Sequence, residues 1–134
     1  MRIYFSERSD PMITGTVHEL NVLARRFDEF VQSGEMELVV PANLADSPAP
    51  YDVLLPSLRL LKRAGPITVS MEPKGGLCVA GSAENLATWC SFFRFRSDST
   101  DGDHHHPESV HKAAYVAPGT LSTIIEIRED VDGP

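Results

Sequence analysis

The sequence predicts an α+β fold made of two tandem β-β-α-β-β units, mostly antiparallel, with both helices packed on one face. Three observations lead there. Short apolar and polar alternations bounded by turn residues read as half-buried strands. Each half carries one amphipathic stretch preceded by Thr or Ser, the signature of a capped helix. The third is internal similarity at an offset of 66 residues. Ile3 falls on Val69, Phe5 on Met71, Met12 on Cys78, Ile13 on Val79, Thr16 on Ser82 and Ala24 on Cys90. Gly15 and Gly81, Leu20 and Leu86, and Phe27 and Phe93 are identical pairs. The repeats occupy 1–64 and 67–130 of a single domain, 1–134, and duplication implies a pseudo-twofold axis with a seam resembling a homodimer interface.

In the first unit, Ile3 and Phe5 alternate with polar neighbours as a strand, and Ser9-Asp10-Pro11 reads as a turn. Met12 to Gly15 continues as a second strand, and Thr16 caps a helix whose apolar stripe runs Val17, Leu20, Leu23, Ala24, Phe27, Phe30 and Val31 up to Gly34. Met36, Leu38 and Val40 form a third strand broken by Pro41, and Pro48, Pro50 and Pro56 make the next link a wrapped loop. The run Leu58 to Lys62 takes its strand assignment from alignment with Leu121 to Ile127, where β-branched residues are denser. After the joint Arg63-Ala64-Gly65-Pro66, the scheme repeats. Ile67, Val69 and Met71 form a strand, Lys74-Gly75-Gly76 a hairpin turn, and Leu77 to Ala80 a strand. Ser82 then caps a helix carrying Ala83, Leu86, Trp89, Cys90 and Phe93 on one side. Past the first helix the register slips, bringing Tyr51 near Tyr115 and Leu58 near Leu121.

The chain of 134 residues carries 12 basic and 19 acidic residues, a net charge of −7 that repels phosphate backbones, so nucleic acid is not expected as a partner. No apolar run reaches bilayer-spanning length and the N-terminus lacks a secretory pattern, so a cytoplasmic protein without membrane contact is expected. Cys78 and Cys90, the only cysteines, lie in apolar patterns and read as reduced core residues.

Chemistry-bearing side chains concentrate between Ser97 and Glu108. If His104, His105 and His106 lie on a strand, His104 and His106 share one face and His105 takes the other. Joined by Glu108 or His111, His104 and His106 would make three ligands for zinc or another borderline metal, and a metal-binding or small-molecule-binding protein using this cluster is the alternative reading. A solvated or hydrogen-bonded histidine strand is the plainer reading, and no metal or other cofactor is expected. The acidic residues have no evident convergent partner, no nucleophile-elbow spacing occurs, and the glycines form no phosphate cradle. An enzyme is not expected. Arg94 and Arg96 fit an anion clamp or a charged helix end equally.

The segment Gly76 to Ala87 with its Gly-Ser-Ala-Glu-Asn-Leu core, then Gly102-Asp103-His104-His105-His106, Tyr115 and the Leu121 to Ile127 strand with Glu126, resembles the immunity protein 32 family of bacterial polymorphic-toxin systems over about residues 67–128. That resemblance implies a non-enzymatic inhibitor that binds a cognate toxin domain in the cytosol; separately, a monomer or weak homodimer is expected. The contact surface would be the loop carrying Asp98, Asp101, Asp103, His104, His105, His106 and Glu108, with Tyr51 and Tyr115 as secondary anchors.

Overall fold

A computed structural model of the chain describes residues 1–45, 47–110 and 115–129. In chain order the elements are β1 (Arg2–Ser6), β2 (Ser9–Gly15), α1 (Val17–Gln32), β3 (Glu37–Pro41), β4 (Val53–Leu54), β5 (Ser57–Lys62), β6 (Thr68–Met71), β7 (Leu77–Gly81), α2 (Ala83–Ser91), β8 (His104–His105), α3 (Pro107–Val110) and β9 (Ile124–Ile127). The fold is α+β and mostly antiparallel, as expected.

The strands do not form one layer. They divide into a sheet ordered β4-β1-β2-β9-β8 and another ordered β3-β5-β7-β6. The reason is an exchange between halves. The hairpin β1-β2 is completed by β9 and β8 from the far end of the chain, and the hairpin β6-β7 by β5 and β3 from the first half. Both junctions are parallel: Ile13 lies opposite Ile125, and Val79 opposite Leu60. Corresponding hydrogen bonds recur at corresponding places. Arg128 N–H donates to Gly15 O and Arg63 N–H to Gly81 O, each at 2.9 Å, while Leu55 N–H reaches Ile3 O and Leu121 N–H reaches Val69 O. Gly15 and Gly81, like Ile3 and Val69, are the residues that coincide at the 66-residue offset.

One apolar cluster joins the inner faces of both sheets to the helices. Ile3, Ile13, Ile125 and Ile127 enter it from the first sheet, and Leu58, Leu60, Leu77 and Val79 from the second. The helices meet through Phe27 and Phe93, edge to face at 4.9 Å, with Trp89 against Phe93 at 5.3 Å. Gly81 is fitted to this packing, since a Cβ there would lie 2.8 Å from Ile67 Cδ1.

Local details differ from expectation in several places: Pro41 is the last residue of β3, and of Leu121 to Ile127 only Ile124–Ile127 is a strand. The first tight turn is at Glu7-Arg8, and Ser9-Asp10-Pro11 already belongs to β2, where a register irregularity between Tyr4 and Ser6 accommodates the proline. Helix α1 stops at Gln32 because Ser33, whose N–H and hydroxyl both donate to Phe30 O, caps it ahead of Gly34.

At the N-terminus of α1, Thr16 Oγ1 accepts from Glu19 N–H while Glu19 Oε1 accepts from Thr16 N–H, a complete capping box. Burial alone would raise the Glu19 carboxyl. The Thr16 hydrogen bonds and the terminal ammonium 3.0 Å away outweigh it, and the net displacement is downward. A carboxyl with a depressed folded-state pKa stabilises above its unfolded value and loses that contribution as pH falls through the folded one. Urea midpoints measured from about pH 6 down to about pH 3 are therefore expected to fall, and Glu19→Gln to flatten that limb. An unchanged slope in the variant would refute this role.

Candidate functional site

Helix α2 ends at Ser91, and the following chain turns tightly, with Phe93 N–H donating to Cys90 O and Arg94 N–H to Ser91 O. Phe93 is buried in the core, which holds the loop root in place. The side chain of Asn21 on α1 then grips Phe95 as a neighbouring strand would, donating to its carbonyl and accepting from its N–H, both at 3.0 Å. Beyond Phe95 the loop closes on itself. Thr100 N–H donates to Asp103 Oδ2 at 2.9 Å, and Gly102 adopts a φ of +92°, which favours a residue without Cβ. The far side is tied to β9: Gly102 N–H donates to Ile127 O, Ile127 N–H to Asp103 O, and Glu129 N–H to Asp101 Oδ1 at 2.7 Å.

This frame carries the histidines. His104 lies opposite Glu126 and His105 opposite Ile125 in the β8–β9 ladder. The pleat sends the rings of His104 and His106 to meet edge to face, with centroids 4.9 Å apart. His105 turns the other way. Its ring stacks on Phe95 at 4.3 Å and 8°, and its Nδ1 is 2.7 Å from Phe92 O. A cleft of about 420 Å³ opens between Arg94, Phe95 and Arg96 on one wall and Ser99, His104 and His105 on the other. Arg94 is ion-paired with Asp28, and Arg96 binds Asp98 through Nε and Nη2 at 3.1 and 3.3 Å. The two arginines thus follow the helix end as partnered charges.

Asp98, Asp101, Asp103, His104 and His106 are exposed on this loop, and His105 is half-buried. Three residues expected at the contact surface lie elsewhere. Glu108 is buried, its Oε2 accepting from Trp89 Nε1 at 2.7 Å and its Oε1 from Thr123 N–H at 2.6 Å, with the Thr123 hydroxyl donating as well. Tyr115 is also buried, and its hydroxyl donates to Pro107 O. Burial first, and the Glu108 carboxylate second, push the Tyr115 phenol upward. Tyr51 packs on Tyr4 at 5.4 Å with its hydroxyl toward Met12 Sδ. It lies two residues before β4, at the opposite edge of the first sheet from β8. Tyr51 and Tyr115, aligned in sequence, are thus neither equivalent in place nor part of the loop surface.

The sequence reading missed the Glu108–Trp89–Thr123 knot. A buried indole N–H requires an acceptor, and that requirement was the available signal. His111 lies outside the described residues. Among the described residues, no group of three or more His, Cys, Asp or Glu side chains is placed to hold a metal. Burial raises the thiols of both Cys78 and Cys90, opposite to nucleophilic activation. No helix among the described residues is long and apolar enough to cross a membrane. No protein-family model, curated protein or solved structure matches this chain, so any functional reading starts from the loop geometry.

Proposed function

We propose that the chain is a non-enzymatic immunity protein that binds and neutralises a bacterial toxin domain in the cytosol, using the Asp98 to His106 segment as its contact surface. One observation carries the reading. Exposed carboxylates and imidazoles stand on a loop whose backbone is tied to α1 by Asn21 and to β9 by Gly102, Asp103 and Asp101. A surface already ordered before contact loses less conformational entropy on binding. Its acidity, within a chain of net charge −7, suits steering toward a basic partner.

The test is co-expression and titration calorimetry with the toxin domain encoded beside this chain's gene. Tight binding and growth rescue are expected. Asp101→Asn and Asp103→Asn keep a carbonyl acceptor for Glu129 and Thr100 while removing charge. Together they are expected to slow association about tenfold at low ionic strength, with the difference shrinking as salt rises. Absence of binding, or association rates indifferent to both substitutions, would end the proposal.

A second reading, a zinc-binding protein, rests on the convergence of His104 and His106 and requires a further ligand from outside the described groups. Elemental analysis of protein purified without an affinity tag distinguishes the two, because stoichiometric zinc supports only the second.

A further inference from the structure

The four strand edges of the two sheets are not equally protected. In the first sheet the edge strands β4 and β8 are each two residues long. In the second sheet β6 is covered by the segment 115–121: Ile67 N–H donates to Tyr115 O, Ala117 N–H to Ile67 O, Leu121 N–H to Val69 O, and Thr120 Oγ1 accepts from Val69 N–H. That leaves β3, five residues long, at the other edge. Its ladder to β5 includes Lys62 N–H to Met36 O and Ala42 N–H to Pro56 O, so the even-numbered residues bond inward. The backbone groups of Glu37 and Val39, and the Pro41 carbonyl, point outward, and among the described residues nothing pairs with them.

Exposed apolar side chains gather at the same edge. Met36 is 60% exposed, Val39 43% and Val22 of α1 39%. Beside them a groove of about 270 Å³ runs between α1 and β3, lined by Met1, His18, Val22, Leu23, Val40, Pro41 and the Glu19 carboxylate, whose charge is paired with the terminal ammonium.

We propose that β3 pairs antiparallel with β3 of a second copy of this chain, about a twofold axis through Val39. The register follows from which groups point outward. Each Val39 N–H donates to the other Val39 carbonyl, and each Glu37 N–H to the other Pro41 carbonyl. Glu37 then faces Pro41 and never another carboxylate, so no like charges oppose each other across the seam. On the helix-facing side of the sheet, Leu38 faces Val40 and Met36 faces Ala42. The exposed Met36 of one copy is thereby brought to the level of Val40 and the α1 groove of the other. Knob and groove lie on one strand edge at positions that the twofold axis interchanges, and this self-complementarity selects a second copy as the occupant. Pro41 lacks the N–H that would prolong the ladder, and with β6 covered the pairing closes at two chains.

The contact rests on one short strand, so the dimer is expected to be weak, on the order of micromolar or weaker. Sedimentation velocity of the full chain from about 1 to about 500 μM should show the 14.7 kDa species giving way to one of twice that mass. Val39→Lys places two ammonium groups against each other at the axis, and Met36→Lys removes the knob. Both positions are exposed, so circular dichroism and unfolding midpoints should remain those of the wild type. Each substitution is expected to raise the dissociation constant at least about tenfold. A wild-type chain of single mass at every concentration would overturn the proposal, as would variants that assemble as well as wild type.

Discussion

Glu108→Ala is expected to destabilise the fold by about 3–5 kcal/mol, because it leaves several buried donors without an acceptor at a cost of roughly 1–3 kcal/mol each. The donors are the Trp89 indole, the Thr123 N–H and the Thr123 hydroxyl, all held by one carboxylate. These contacts join α2, α3 and the approach to β9, so their loss also loosens the return path from the histidine loop. In a domain of this size the thermal midpoint should drop by about 10–20 °C. Glu108→Gln keeps one carbonyl oxygen but turns an amide toward the remaining donors, and should fall between alanine and wild type. The chain has a single tryptophan, so a red shift of its emission under native conditions reports this site alone. An alanine variant within about 1 kcal/mol of wild type would show that the knot contributes little.

Severing the chain between the halves should have a larger effect. Residues 1–64 alone contain β1 and β2 without β9 and β8, together with β3 and β5 without β7 and β6. Residues 65–134 have the complementary lack. Each fragment exposes two unpaired parallel-seam edges and half of the shared apolar cluster, a loss that falls on a chain length already marginal for independent folding. Each is expected to give the narrow amide spectrum of an unfolded chain, and an equimolar mixture to recover the dispersed spectrum of the intact protein. A fragment that folds as a monomer by itself would contradict the exchange of strands between halves.

The contrast between these contacts and the sequence reading follows from the range over which each signal acts. Strand β1, the caps Thr16 and Ser82 and the stripe of α1 are local patterns with a period of two or of 3.6, and they appear where the sequence places them. The opposed faces of His104 and His105 are legible for the same reason. The junction of Ile13 with Ile125 is not, since neither residue carries information about a partner more than a hundred positions away. Glu108 stands next to three histidines in a polar run and reads as surface. Only the placement of α3 against Trp89 and Thr123 turns it inward. Tyr51 and Tyr115 share a sequence register, but the loops that carry them take different routes. One lays its ring on Tyr4, and the other buries it beside Pro107.

Interleaved connectivity also sets an order of events during synthesis. The first hairpin leaves the ribosome early but waits for Ile124 to Ile127 before it gains its parallel neighbour, while the second sheet can close once Gly81 has emerged. Until β9 arrives, β2 keeps the edge beside Ile13 unpaired and the cluster lacks Ile125 and Ile127, a window in which aggregation or chaperone capture competes with folding. Slowing translation beyond Gly81 would lengthen that window.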